Sequence, residues 1–327
     1  MAEPEFPAFR PRAPWWGPDL QTLRNMLRGP VLTLPPGVAA KRFSLPLTDG
    51  SGDVLSARGL LPSSGAPARP DAPLVVLVHG LGGSEDSAYL GVTAAHLLDG
   101  GWRVVQLNLR GAGPSRATCR QQYHAGRTGD FRDALAALPE DWTRDGVVAV
   151  GFSLGGNMVL KYAAESGGLR GVVSVSAPID LSAASYRFLD ARNRFYHAWL
   201  LAGMKREALA EGAAVTEEER RVLPNLKSIL EFDEKIVAPR GGFADAADYY
   251  ARNHARQFLG AIALPALLIH AQDDPWIPAS AYTGYPWHGN PHLRPLLPRG
   301  GGHVGFHDAD SRVPWHDRCV AAFLASL

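Results

Sequence analysis

The segment Gly151-Phe152-Ser153-Leu154-Gly155 fits the pattern G-x-S-x-G. An apolar run at 147–150 precedes it and a helix-compatible stretch at 158–164 follows. In that setting the chain must turn sharply, which lifts the serine hydroxyl clear of the strand end, while the flanking glycines leave room for the neighbouring backbone. The alternative is a structural glycine turn; the strand before it and the helix after it favour a nucleophile. A serine hydroxyl is weak at its own pKa. It needs a base, and the base needs an acid to orient it.

On a strand–turn–helix scaffold of this kind the chain order is serine, then Asp or Glu, then His. Of eleven histidines, His303 has the right place. It lies in the glycine-rich loop Gly300-Gly301-Gly302-His303-Val304-Gly305-Phe306, after a strand-like stretch and before the last helix. His307 and His316 read as surface or helix residues, and His124 comes too early. For the acid, Asp273 and Asp274 both follow the run at 266–269. Asp274, which opens Asp-Pro-Trp-Ile-Pro, is preferred; Asp273 would then face solvent or cap the loop. Negative charge developing on a substrate oxygen needs backbone N–H donors. Leu154, next after the serine, offers one, and the loop His79-Gly80-Leu81-Gly82-Gly83 offers the other through Leu81. Read alone, that loop is equally well a glycine turn. It lacks the P-loop pattern, no G-x-G-x-x-G follows a strand, and His270 and the cysteines lack metal-ligand spacing. No cofactor and no metal are expected.

These residues need a frame. Short aliphatic runs at 74–78, 102–107, 147–150, 172–175 and 266–269 alternate with helical patterns at 88–98, 129–137 and 158–164. Runs without polar alternation are strands covered on both faces, so the order implies βαβ units and a mostly parallel sheet flanked by helices. Residues 41–60 alternate around Thr48-Asp49-Gly50-Ser51-Gly52, a hairpin signal, and 61–73 read as a connector. From 181 to 259 no strand is legible, only helical, aromatic and charged text. Such an insertion between sheet strands is expected to cap their carboxyl ends, where ligands of open α/β sheets bind. The expected division is therefore an arm at 1–40, a core at 41–180 and 260–327, and a helical cap at 181–259. The arm carries Trp15 and Trp16 and a short helical pattern at 20–27; it is expected to pack on the body.

The 327 residues carry 33 basic and 32 acidic side chains, a net charge of +1. That removes the field needed to hold nucleic acid or an anionic membrane. The two cysteines, Cys119 and Cys319, cannot frame a disulfide scaffold, which suits a reducing, cytoplasmic setting. Cys119 has basic neighbours that could lower its pKa, but no base, and is read as structural or incidental. The first twelve residues do not form a secretory signal, and no apolar run is long enough to span a bilayer. Glu217 to Arg221 reads as a solvated helix face.

Taken together, the motifs around Gly80, Ser153 and His303 resemble those of the α/β-hydrolase superfamily. More narrowly, the chain resembles the AB hydrolase 4 branch, the YheT-like bacterial hydrolases related to eukaryotic ABHD-type lipases and esterases. Asp19-Leu20-Gln21-Thr22-Leu23, Leu109-Arg110-Gly111, Tyr123-His124-Ala125-Gly126, Ser176-Ala177-Pro178 and His270-Ala271-Gln272-Asp273-Asp274-Pro275 also match, so the resemblance spans about residues 14–325. It implies the α/β-hydrolase fold and a serine hydrolase with the triad Ser153, Asp274 (or Asp273) and His303. One departure is Asp19, where relatives carry His before Leu-Gln-Thr. The expected activity is hydrolysis of small carboxylic esters through an acyl-enzyme on Ser153, with short- to medium-chain apolar acyl groups favoured. Thioester hydrolysis or acyl transfer would use the same groups, and a non-catalytic binding module is the third reading. Phe188, Phe195, Tyr196, Trp199, Leu200 and Met204 either line an acyl pocket or pack the insertion. Peripheral lipid contact stays open, and oligomeric state is not legible.

Overall fold

The structure, a computed structural model, describes residues 5–28, 34 and 36–327. The parts of the 1–40 arm at 1–4, 29–33 and 35 lie outside the described residues.

Eight strands form one sheet in the order β1-β2-β4-β3-β5-β6-β7-β8. β1 (Ala39–Pro46) and β2 (Val54–Leu61) make the antiparallel hairpin, turning at residues 49–53. β2 meets β4 (Val104–Leu107) antiparallel, and every pairing beyond it is parallel. β3 (Leu74–Val78), β5 (Val147–Phe152), β6 (Gly171–Val175) and β7 (Ala266–Ile269) are buried along their whole length, as their continuous apolar text demands. β8 (Leu293–Leu296) closes the far edge.

Alternate strand residues face two different cores. Val76, Val78, Ala149 and Leu268 pack under α3 (Thr128–Ala137), the one-turn α4 (Glu140–Thr143) and α5 (Leu154–Ser166). Val75, Leu77, Val150 and Ile269 pack under α2 (Ala88–Asp99) and the C-terminal helix Trp315–Ala325. A fully buried Arg110 fastens the hairpin turn to the body. Its guanidinium reaches Asp49 at 2.6 Å, Asp53 at 3.1 Å and Asp130 at 2.7 Å, so three carboxylates meet one cation.

Between β6 and β7 the chain has no strand; turns and loops join the helices α6 (Leu181–Arg187), α7 (Arg194–Ala208), α8 (Glu217–Val222), α9 (Ile229–Phe232), α10 (Ala238–Gly241) and α11 (Ala246–Asn253). Leu200, Met204, Phe232 and Ile236 give this segment a core of its own, against which Leu23, Leu81 and Trp276 pack. It therefore touches the glycine-rich loop at 79–83, the loop after β7 and, through Leu23, the N-terminal arm.

The N-terminal arm runs along the other end of the chain. Pro11 and Asp308 form an antiparallel bridge, and the Arg12 N–H donates to the His307 carbonyl at 3.0 Å. α1 (Gly17–Arg28) is longer at its start than the expected 20–27. Trp16 stays 60% exposed, so Phe6 and Phe9 rather than this tryptophan bring the arm onto the core.

Candidate active site

Ser153 stands between β5 and α5 with φ at 50°, a conformation that side chains other than glycine rarely adopt. Its neighbours explain how the turn holds. A Cβ on Gly155 would lie 2.4 Å from the His79 carbonyl oxygen, and one on Gly151 would lie 2.3 Å from that of Gly155. Only glycine fits at either place. The Ser153 N–H donates to Val175 O at 2.8 Å, which pins the turn to the next strand.

The loops after β7 and β8 bring two further groups to this hydroxyl. Ser153 Oγ lies 3.0 Å from His303 Nε2, and His303 Nδ1 lies 2.8 Å from Asp274 Oδ2. A carboxylate can only accept, so Nδ1 carries the proton toward Asp274 and Nε2 is left to accept from the serine. Asp274 Oδ1 accepts the N–H groups of Trp276 at 2.8 Å and Ile277 at 3.0 Å. Burial pushes the Asp274 carboxyl up, but the charge and hydrogen bond of His303 outweigh it and hold the group below its ordinary value. Asp273 does not touch the imidazole. Its Oδ1 accepts the Gly302 N–H at 2.9 Å, bracing the histidine loop from beneath. The Trp276 ring covers His303, with centroids 4.2 Å apart.

Backbone strain is concentrated in this loop. Gly301 and Gly302 have φ of 143° and 60°, and Val304 and Phe306 follow at 56° and 46°. A β-branched residue in the left-handed region needs outside support. The Val304 N–H donates to Ser176 Oγ at 3.1 Å, the His303 N–H donates to Thr22 Oγ1 at 2.8 Å, and Asn25 Nδ2 donates to Val304 O at 3.2 Å. α1 is thus the outer wall of the histidine loop.

Around the glycine loop the N–H groups are divided. That of Gly80 donates to the Tyr89 hydroxyl at 2.9 Å and that of Gly82 to the Tyr123 hydroxyl at 2.8 Å; that of Gly83 donates to Gly80 O at 3.1 Å. The N–H groups of Leu81 and Leu154 have no protein acceptor among the described residues. His79 sets the loop from behind: Nδ1 bonds Gly80 O at 2.7 Å, and the Leu109 N–H donates to Nε2 at 3.1 Å. Tyr123 in turn donates to Glu207 Oε2 at 3.3 Å, which links the glycine loop to α7.

A cavity of about 620 Å³ opens over these groups, in the size range of small-molecule sites. Ser153, His303 and Leu81 form its floor, and Phe188, Trp199, Leu200 and Met204 of the insertion line it, with Arg240, Glu219 and Gln122 on a polar side. The aromatic series of the insertion therefore divides. Tyr196 packs inside and hydrogen-bonds Asp19 at 3.0 Å, while Phe195 is 81% exposed.

Three sequence readings change. His307 is neither a surface nor a helix residue, being 1% exposed in the loop before the last helix, whereas His316 does lie on that helix, buried with its ring edge-on to Phe152 and Phe306. Cys119 is buried and donates to Val54 O at 3.3 Å, and burial pushes its thiol up rather than down. Glu219 of the charged run reaches inward to Arg240 at 2.6 Å instead of lying wholly in solvent. Thr22, Asn25, Tyr89 and Tyr123 were missed as supports; the segments holding Thr22 and Tyr123 were visible only as family-like text. Among the described residues no His, Cys, Asp and Glu group is placed to hold a metal ion, and no helix is long and apolar enough to cross a membrane.

A serine on the strand-to-helix turn of a mostly parallel sheet, reached by an imidazole and a carboxylate from later loops, is the arrangement of an α/β hydrolase. The family model described as alpha/beta hydrolase fold matches residues 73–310. Escherichia coli YheT is 36% identical over 240 residues, 72% of this chain and 70% of that protein. The chain therefore belongs to the α/β-hydrolase family, of the YheT/ABHD type. The medium-chain fatty acid ethyl ester synthase/esterase 2 of Saccharomyces cerevisiae is 28% identical over 79% of this chain and 63% of its own length. Among solved structures, the Pyrococcus furiosus esterase Pf2001 superposes with a TM-score of 0.57 at 16% identity, over 99% of each chain, which shows the shared fold.

Proposed function

We propose that the protein is a serine-dependent hydrolase of carboxylic esters. The observation that carries this reading is the unbroken relay Ser153–His303–Asp274 at 3.0 Å and 2.8 Å, at the floor of a largely apolar cavity. Ser153 Oγ attacks the acyl carbon as His303 Nε2 takes its proton, and Asp274 holds the imidazole in the required tautomer and stabilises its charged form. The oxyanion is received by the N–H groups of Leu81 and Leu154. The imidazolium returns its proton to the departing alkoxide, leaving the acyl group on Ser153. Water, deprotonated by the same imidazole, then releases the acid.

The helical insertion acts as a cap whose hydrocarbon side receives the acyl group, so short to medium apolar chains are favoured. The names of two relatives support the class: YheT is provisionally named an esterase, and the yeast protein a medium-chain ethyl ester synthase and esterase. That second name also favours one further reading, transfer of the acyl group to an alcohol in place of water, which the same groups perform. The buried free cysteines suit a reducing, cytoplasmic setting.

Hydrolysis of p-nitrophenyl esters from acetate to laurate tests the proposal. Ser153→Ala should lower kcat by about 10⁴–10⁶, and unchanged turnover would overturn the assignment. Adding ethanol to the same assay separates ester synthesis from hydrolysis.

A further inference from the structure

The wall that the insertion gives to the cavity is hydrocarbon at Phe188, Leu200, Met204 and Phe232, yet a carboxyl is set into it. Asp233 is only 8% exposed and lines the cavity together with Tyr250 and Ser185. The Tyr250 hydroxyl donates to Asp233 Oδ2 at 2.6 Å and lies 2.9 Å from Ser185 Oγ. Oδ1 has no hydrogen-bond partner, and no cation pairs with this carboxyl, among the described residues. Burial raises the group to about 7.

The backbone is also unusual there. Asp233 opens a π-helical turn, Asp233–Val237, in which its carbonyl accepts the N–H of Ala238, five residues on. The cause lies just beyond the turn. Pro239 has no N–H to offer the carbonyl four residues before it, so the ladder shifts register at this point. Such turns recur at functional sites. A carboxyl buried without a cation is costly, and an apolar residue would fill the same wall without that cost. Oδ1 is open to the cavity, so the group that meets it, water or ligand, comes from there.

We propose that Asp233, supported by Tyr250 and Ser185, is a subsite for a hydroxyl group on the acyl chain, so that the preferred esters carry hydroxylated acyl groups. This rests on the ester-hydrolase reading. A hydroxyl suits the position because it donates to the ionised carboxyl and accepts from the protonated one, whereas an ammonium pairs only with the ionised form. Phe232 and Ile236, its neighbours on the same helical stretch, line the cavity with hydrocarbon, and on that ground the subsite is assigned to the acyl part of the ester rather than the alcohol part.

The test compares kcat/KM for p-nitrophenyl octanoate with that for its 4-, 6- and 8-hydroxy derivatives and the 8-amino derivative. At least one hydroxylated chain should be preferred by about tenfold or more, since a site built to hydrogen-bond a hydroxyl discriminates against its absence. Asp233→Leu should abolish that preference, and Asp233→Asn and Tyr250→Phe should reduce it, which keeps the test open if the leucine variant does not fold. No hydroxylated chain preferred, a preference surviving in all three variants, or a stronger preference for the amine would each overturn the proposal. If the wild-type protein hydrolyses none of these esters, the ester-hydrolase reading fails on its own. Calorimetric binding of methyl octanoate and methyl hydroxyoctanoates to Ser153→Ala then decides the subsite without turnover.

Discussion

The N–H of His303 donates to the hydroxyl of Thr22 at 2.8 Å, across 281 residues of sequence. Thr22 therefore holds the backbone of the residue whose ring faces Ser153. Thr22→Val leaves a buried N–H without an acceptor and should cost about 1–3 kcal/mol of stability. If the contact also positions the imidazole, kcat should fall while KM moves little, and Thr22→Ser should restore both. Denaturant titration and steady-state kinetics on the two variants measure these effects.

The neighbours Asp273 and Asp274 should separate cleanly. Asp274→Asn puts an amide opposite Nδ1 and favours the wrong tautomer, so kcat should fall by about 10⁴. Asp273→Asn weakens a loop brace and should cost far less. Equal losses in the two variants would show that the assignment of the acid is mistaken.

Tyr123→Phe tests the clamp on the glycine loop. It removes the acceptor for the Gly82 N–H and the link to Glu207, while the N–H of Leu81 itself remains. Losing an oxyanion donor outright costs about 10²–10³ in kcat, so loosening one should cost about tenfold. Glu207→Gln, which keeps a hydrogen-bond acceptor, should lie closer to the wild type.

Acid sensitivity has an assigned source. Burial lowers His79 and His270 to about 4 and His307 to about 3, from an ordinary 6.5. The unfolded chain takes up these protons first, so their contribution to stability is intact above pH 6.5 and is lost as the pH falls toward 4. Asp233 acts in the opposite sense. Raised from 3.8 to about 7, it lowers stability as the pH rises through that interval. Melting temperatures across pH 4–8 should show a shallower acid loss in His307→Leu and no loss toward neutrality from position 233 in Asp233→Asn.

Local text was enough for the frame. Continuous aliphatic runs mark strands buried on both faces, and β3, β5, β6 and β7 fall on them. The order of Ser153, Asp274 and His303 was readable because the scaffold dictates which strand end each occupies. What escaped was the support, since Thr22 and His303 or Tyr123 and Gly82 meet only through tertiary folding. His307 was misread because residue type was weighed without the arm that covers it. Asp233 lay in a segment legible only as helix, and no sequence period shows which helical carboxyl turns inward.

The arm that brackets the histidine loop comes from one end of the chain, and the loop itself from the other. Arg10 and Arg12 exchange backbone hydrogen bonds with Ala309 and His307. During synthesis the segment bearing Ser153 leaves the ribosome well before His303, and a nascent chain folds its early part first. On the proposed mechanism a chain at that stage has the serine but not its base. Chains that stop before residue 303 are therefore expected to be inert toward ester substrates.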